Sequence, residues 1–177
     1  MSTVITGTQS LLEEIENIFP VVEMPLETEL IFHKNSCHEC DYLRADLEQY
    51  RDKEVTGETI RLVHQVLYHL SAKALAWILP HYLRFCFTAE AEYNQMETEF
   101  LIYSLAPTLQ FQRETFERLS TLNEAQVDCV ICFLEWCLTQ EYWKEYCPQE
   151  LENAISFLIT RNKGVNRKYR YQSLNSL

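Results

Sequence analysis

Apolar side chains recur at intervals of three and four along almost the whole chain, and little in the sequence competes with helix. The clearest run follows Asn123. There Val127, Val130, Ile131, Leu134 and Leu138 share one side, and Gln126 stands where a capping box needs it. Only 3 glycines and 5 prolines interrupt 177 residues, so few positions can serve as a flexible linker and one domain is expected.

The same period predicts further helices. Thr8 caps a first one carrying Leu11, Leu12, Ile15, Ile18 and Phe19, which Pro20 ends. Residues 20–32, with Val21, Val22, Leu30 and Ile31, read as extended chain for which no partner strand stands out. Asp41 to Tyr50 forms a short helix, and Thr56 caps one through Ile60, Val63, Leu67 and Leu70. Ser71 stops that helix and caps the next, Ala72 to Phe87, which is apolar around much of its circumference and therefore central. Pro80 predicts a kink or break near Ile78 or Leu79. A weaker pattern covers 89–105, a new segment opens at Pro107 with Phe111, Phe116 and Leu119 partly inward, and Pro148 suits the first turn of a last helix. The expected fold is all-α or predominantly α, a compact array of six to eight helices with a short extended segment near residues 20–32. Residues 1–163 make the domain, and 164–177 form a basic, polar tail expected to be mobile.

Charge narrows the partners. The chain has 15 Lys and Arg against 26 Asp and Glu, a net charge of -11. Five of the basic residues (Arg161, Lys163, Arg167, Lys168, Arg170) follow the last acid, Glu152, leaving 10 basic against 26 acidic residues before them, a net of -16. Such a body repels phosphate backbones and anionic lipids, so nucleic acid is expected to meet the protein only weakly, through the basic tail. A basic protein is the partner that fits. Trp143 and Tyr146 beside Glu141 and Glu145 are the protein-binding candidates, an aromatic and acidic patch at the end of the long helix. The N-terminal acids Glu13, Glu14 and Glu16 come too early for a signal peptide, and no apolar run is long enough to span a membrane, which predicts a cytoplasmic location.

Seven cysteines without an export signal argue for free thiols, and Cys86, Cys129, Cys132, Cys137 and Cys147 stand in apolar surroundings that read as core. Cys37 and Cys40 differ. His33-x-x-x-Cys37-His38-Glu39-Cys40 packs four soft or borderline ligands into eight residues, a density that suits zinc. Cys37, Cys40 and His33 are the candidate metal ligands, with His64 or His38 as the fourth, and zinc is the candidate cofactor. A redox site is the rival, since a helix follows Cys40, but the alternating strands and helices of a thioredoxin-like fold are missing and Glu39 and Asp41 disfavour a thiolate. In the third reading these groups are structural thiols and polar surface histidines.

Cys37-His38-Glu39-Cys40-Asp41, then Leu70-Ser71-x-x-Ala74, then Leu79-Pro80-x-Tyr82-Leu83, resembles an uncharacterised bacterial family of small helical proteins. In it a Cys-x-x-Cys-Asp segment precedes a Leu-Ser-x-x-Ala corner and a Leu-Pro-x-Tyr motif. The resemblance covers roughly residues 10 to 90 and implies a shared fold core, with structural roles for Ser71, Pro80 and Tyr82. The aromatic expected before the Leu-Pro pair is here Trp77. The family implies no activity. Three functions follow: an acidic helical protein acting through protein binding, as an inhibitor, immunity or adaptor protein does; a zinc-stabilised module; and an enzyme or redox protein using the Cys37 and Cys40 region. Without a catalytic motif elsewhere, an enzyme is the least favoured.

Overall fold

The computed structural model describes residues 7–33 and 37–174, with side chains described through Lys163. The side chains of the basic tail expected from residue 164 onward lie outside that description, although the backbone of the last helix runs to Leu174. Ten α-helices form among the described residues: α1 (Thr8–Ile18), α2 (His38–Glu48), α3 (Gly57–Val63), α4 (Ala72–Phe85), α5 (Ala89–Asn94), α6 (Met96–Leu105), α7 (Gln112–Arg118), α8 (Glu124–Thr139), α9 (Glu141–Tyr146) and α10 (Pro148–Leu174). The fold is all-α, as the apolar period predicts, with no sheet among the described residues. The count exceeds the expected six to eight.

Two helices make up the excess, one from the division of the 89–105 pattern and the other the short Glu141–Tyr146 helix, and a third run departs from its expected form without adding to the count. The run through Ile60 and Leu70 is α-helical only to Val63; His64–His69 is a 3₁₀ segment, interrupted at Val66 (φ -125°, ψ 19°). A 3₁₀ turn winds with three residues per turn rather than 3.6, which changes the direction in which its last side chains point. The pattern over 89–105 divides at Gln95, whose left-handed backbone (φ 60°, ψ -17°) separates α5 from α6. By contrast, Pro80 breaks nothing. Helix α4 continues through it, held on both sides by buried Ile78, Leu79, Tyr82 and Leu83, so packing outweighs the lost backbone bond.

Side chains cap four of the ten helix starts, at Thr56, Ser71, Thr88 and Asn123. Thr56 and Thr59 form a capping box for α3, and Asn123 and Gln126 form one for α8, each bond of the latter at 2.9 Å. Pro148 opens α10 as its first helical residue. Helix α1 starts one residue earlier than Thr8 predicts as a cap, with Gly7 in that position and no side-chain bond. Helix α2 begins at His38, three residues ahead of the expected Asp41, which puts Cys40 inside its first turn.

Helices α1, α8 and α10 pack together, α4 lies against α1, α3 and α7, and α6 lies between α10 and the 3₁₀ segment. The buried Arg161 of α10 donates to the carbonyls of Leu119 and Leu122, each at 2.7 Å, tying α10 to the turn between α7 and α8. Tyr82 is fully buried, and its hydroxyl donates to the Glu97 carbonyl at 2.7 Å. Of the residues expected to face partly inward after Pro107, Phe111 and Phe116 stay substantially exposed while Leu119 is buried.

The extended segment does find a partner. Ile31 and Leu70 form an isolated antiparallel bridge, in which Phe32 N–H donates to the His69 carbonyl at 2.8 Å and Ser71 N–H to the Leu30 carbonyl at 2.9 Å. Ser71 also donates its hydroxyl to the Glu29 carbonyl and accepts from Ala74 N–H at 3.1 Å, so one side chain caps α4 and anchors the crossing. Ser71→Ala is therefore expected to cost about 1–2 kcal/mol in urea unfolding; a change of only a few tenths would mean that the crossing holds without it.

All seven cysteines are free thiols, and burial pushes Cys86 and Cys129 up to about 12. A thiol held protonated by the fold supports stability below its ordinary value of 9.0 and withdraws that support as pH rises through the folded value. The urea midpoint is expected to fall between about pH 9 and pH 12, less steeply in Cys129→Ala, and equal slopes in the two proteins would count against buried thiols as the cause.

Candidate metal centre

The bridge places His33, just beyond Ile31, against His69, which ends the 3₁₀ segment. Helix α2 brings the third group. Cys37 is its N-cap and Cys40 its third residue, so the two lie on one side of the first turn. His33 Nδ1, His69 Nδ1 and Cys40 Sγ then converge: the two nitrogens are 3.3 Å apart, and the sulfur is 3.6 Å from His33 and 3.4 Å from His69. Cys40 and His69 are buried and His33 is half-buried.

These edges lie within about 0.2 Å of those of a tetrahedral zinc site. With Zn–N of about 2.0–2.1 Å and Zn–S of about 2.3 Å, tetrahedral angles place two nitrogens about 3.3–3.4 Å apart and a nitrogen and a sulfur about 3.5–3.6 Å apart. His33, Cys40 and His69 form a cluster that can coordinate a metal ion such as zinc.

Protons alone serve the triangle less well. His69 Nε2 lies 3.1 Å from the Glu39 carboxylate and donates to it, which leaves Nδ1 of a neutral ring as a lone pair. While that ring is neutral, at most two protons, on Cys40 and on His33 Nδ1, serve three edges. One cation at the centre would use all three lone pairs, and the Glu39–His69 contact is of the kind by which outer-shell carboxylates orient histidine ligands.

Burial, chiefly, pushes the Cys40 thiol up from 9.0 to about 11; the hydrogen bond with the Cys37 side chain adds to this and Arg44 opposes it. A thiol so raised is a poor nucleophile at neutral pH, which weighs against thiol-disulfide chemistry. A bound cation reverses that preference by stabilising the thiolate.

The other expected residues lie as follows. Cys37, expected as a ligand, is half-buried next to Cys40, but its sulfur stays outside the cluster, more than 4.8 Å from at least one of the three ligand atoms. Neither histidine expected as fourth ligand joins the cluster. His38 is exposed. His64 donates from Nδ1 to the Arg61 carbonyl at 2.6 Å and meets Phe100 edge-on, because the 3₁₀ segment aims its first residue away from its last. The histidine that converges is His69, which no motif singles out. Its one sequence clue is a polar ring two residues ahead of the Ser71 cap in an apolar stretch. Within the aromatic patch, Trp143 is only 7% exposed and packs against Tyr142 and Tyr146, so it is core rather than contact surface. Tyr146, Glu141 and Glu145 are exposed, and Tyr146 donates to Glu99 at 3.3 Å. No helix among the described residues is long and apolar enough to cross a membrane.

Fold and cluster together define a small all-α protein with a buried histidine and cysteine metal-ligand constellation. The chain belongs to the Family of unknown function (DUF6714), which matches residues 11–146. That span runs from α1 to the end of α9 and contains the Cys37-x-x-Cys40 pair, His33 and His69. Comparison with curated proteins and with solved structures gives no match.

The hydrogen bond to Glu39 implies a fixed tautomer. Proton-nitrogen correlation spectra of the imidazoles are expected to show His69 protonated on Nε2, and to lose that preference in Glu39→Gln; a His69 ring protonated on Nδ1 contradicts the arrangement.

Proposed function

We propose that the protein is a zinc-binding helical module in which His33 Nδ1, His69 Nδ1 and Cys40 Sγ hold the ion, and Cys37 Sγ, outside the cluster as it stands, turns in to close the tetrahedron. The observation that carries this reading is the triangle of ligand atoms with edges of 3.3, 3.4 and 3.6 Å, contributed by three separate parts of the chain. Cys37 is favoured as fourth ligand by its hydrogen-bonding contact with Cys40 and by its place at the N-cap of the helix that carries Cys40. Two cysteines and two histidines make a closed set of the structural kind, which contributes to folding rather than to turnover. In this reading the ion clamps the extended segment, α2 and the 3₁₀ segment to one another, where the bridge alone offers two backbone hydrogen bonds.

The test is elemental analysis of protein purified without a polyhistidine tag under reducing conditions. About one equivalent of zinc is expected, with chelation lowering the thermal midpoint. Cys40→Ser and His69→Ala are expected to lose the ion and His64→Ala to keep it. Glu39→Gln is expected to weaken binding by about 10–100-fold. Cobalt substitution adds a readout of geometry, since a tetrahedral site with thiolate ligands gives intense visible bands. Less than a tenth of an equivalent, with stability unchanged in chelator, sinks the proposal.

A second reading is binding of a basic protein partner. It is supported by the stacked and exposed pair Tyr142 and Tyr146, whose rings lie 5.3 Å apart, each next in the chain to an exposed carboxylate, Glu141 or Glu145. One stoichiometric basic partner whose affinity falls with salt, and falls again in Tyr146→Ala, is the expected result; indifference to both changes ends this reading.

A further inference from the structure

Between the 3₁₀ segment, α6 and the start of α7 lies a cleft of about 630 Å³, within the range that small-molecule sites occupy. Its wall is mostly apolar and aromatic, with Leu67, Phe100, Tyr103, Pro107 and Phe111 among the lining residues, and Tyr103 and Phe111 remain exposed beside it. Water gains little from such a wall, and an apolar body displaces it favourably.

Two charged side chains line the cleft, Arg118 and Glu114, and only the arginine is buried. Arg118 is 7% exposed, and its guanidinium donates to the Tyr68 carbonyl at 3.1 Å and to Thr115 Oγ1 at 2.8 Å; Tyr68 and Thr115 line the same cleft. Both acceptors are neutral. The carboxylate paired with it, Glu114, stands at 3.9 Å, beyond hydrogen-bonding distance, and is itself half-exposed. Burial lowers the pKa of Arg118, with Glu114 acting in the opposite sense. A desolvated guanidinium with neutral acceptors is the group that a carboxylate pairs with most strongly. A second polar atom lacks a partner nearby: His64 lines the cleft, its Nδ1 is taken by Arg61, and its buried Nε2 has no hydrogen-bond partner among the described residues.

We propose that this cleft binds a small amphipathic monocarboxylate, with the carboxylate paired to Arg118 and the apolar body laid against Phe100, Tyr103 and Phe111. In a chain of net charge -11 a site for an anion has to be made locally, and burying the arginine makes it. The proposal stands apart from the zinc reading. His33 lines the cleft, but no group used here is a metal ligand.

The test is calorimetric titration of the full chain with octanoate and with octanamide, which share a tail and differ in charge. Octanoate is expected to bind with one-to-one stoichiometry, at least tenfold more tightly than octanamide. Arg118→Gln is expected to remove that difference. Because Arg118 also holds Tyr68 and Thr115, Ala106→Trp provides the second arm: it fills the cleft from a partly buried wall position and is expected to abolish binding of both compounds with the thermal midpoint retained. Equal binding of acid and amide, unchanged binding in Ala106→Trp, or no heat with octanoate at millimolar concentration each overturns the proposal.

Discussion

The arrangement around the candidate centre depends on one backbone contact, the antiparallel bridge between Ile31 and Leu70. A single bridge is a weak element by itself, because two exchanged hydrogen bonds contribute only about 1–3 kcal/mol net. It is held by its surroundings. Leu30 and Leu70 are fully buried, Ile31 nearly so, and the Ser71 hydroxyl adds a bond on the Glu29 side while its oxygen caps α4. The crossing puts His33 against His69, 36 positions away along the chain, and sets where α4 begins.

Once those two rings meet, the constraint becomes one of compensation. Two imidazoles and a thiol sit in or beside the core, where polar groups without partners cost about 1–3 kcal/mol each. Glu39 satisfies one ring nitrogen from the solvent side, since its own side chain is 73% exposed. The remaining atoms face one another across edges of similar length, and three lone pairs around one point are what a cation requires. The same burial that raises the Cys40 thiol makes the cluster inert as a nucleophile and receptive to an ion that replaces the proton.

The 3₁₀ segment links this cluster to the cleft beside it. Its last residue, His69, belongs to the ligand triangle, while His64, Leu67 and Tyr68 line the cleft. Had residues 57–70 formed one straight α-helix, its stripe of Ile60, Val63, Leu67 and Leu70 would have faced a single neighbour. The break at Val66 lets the segment serve α2 and the extended chain at one end and α6 and α7 at the other. Helix α7 closes the far wall, where Arg118 reaches back to the carbonyl of Tyr68.

Local sequence determined the helical class of this protein, the caps at Thr56, Ser71 and Asn123, the helix start at Pro148, and the presence of ligand-type side chains at His33, Cys37 and Cys40. Each of those depends on residues within a few positions of one another, where hydrogen bonding and apolar period act directly. Tertiary structure alone decided that Pro80 leaves α4 unbroken, that the runs near 66 and 95 divide, that Trp143 is core, and that His69 rather than His38 or His64 completes the triangle. Those outcomes turn on contacts between segments tens of residues apart. A proline is tolerated because its neighbours are packed, and a histidine becomes a ligand because a backbone bridge carries it to another. Neither the packing nor the bridge leaves a local pattern in the chain.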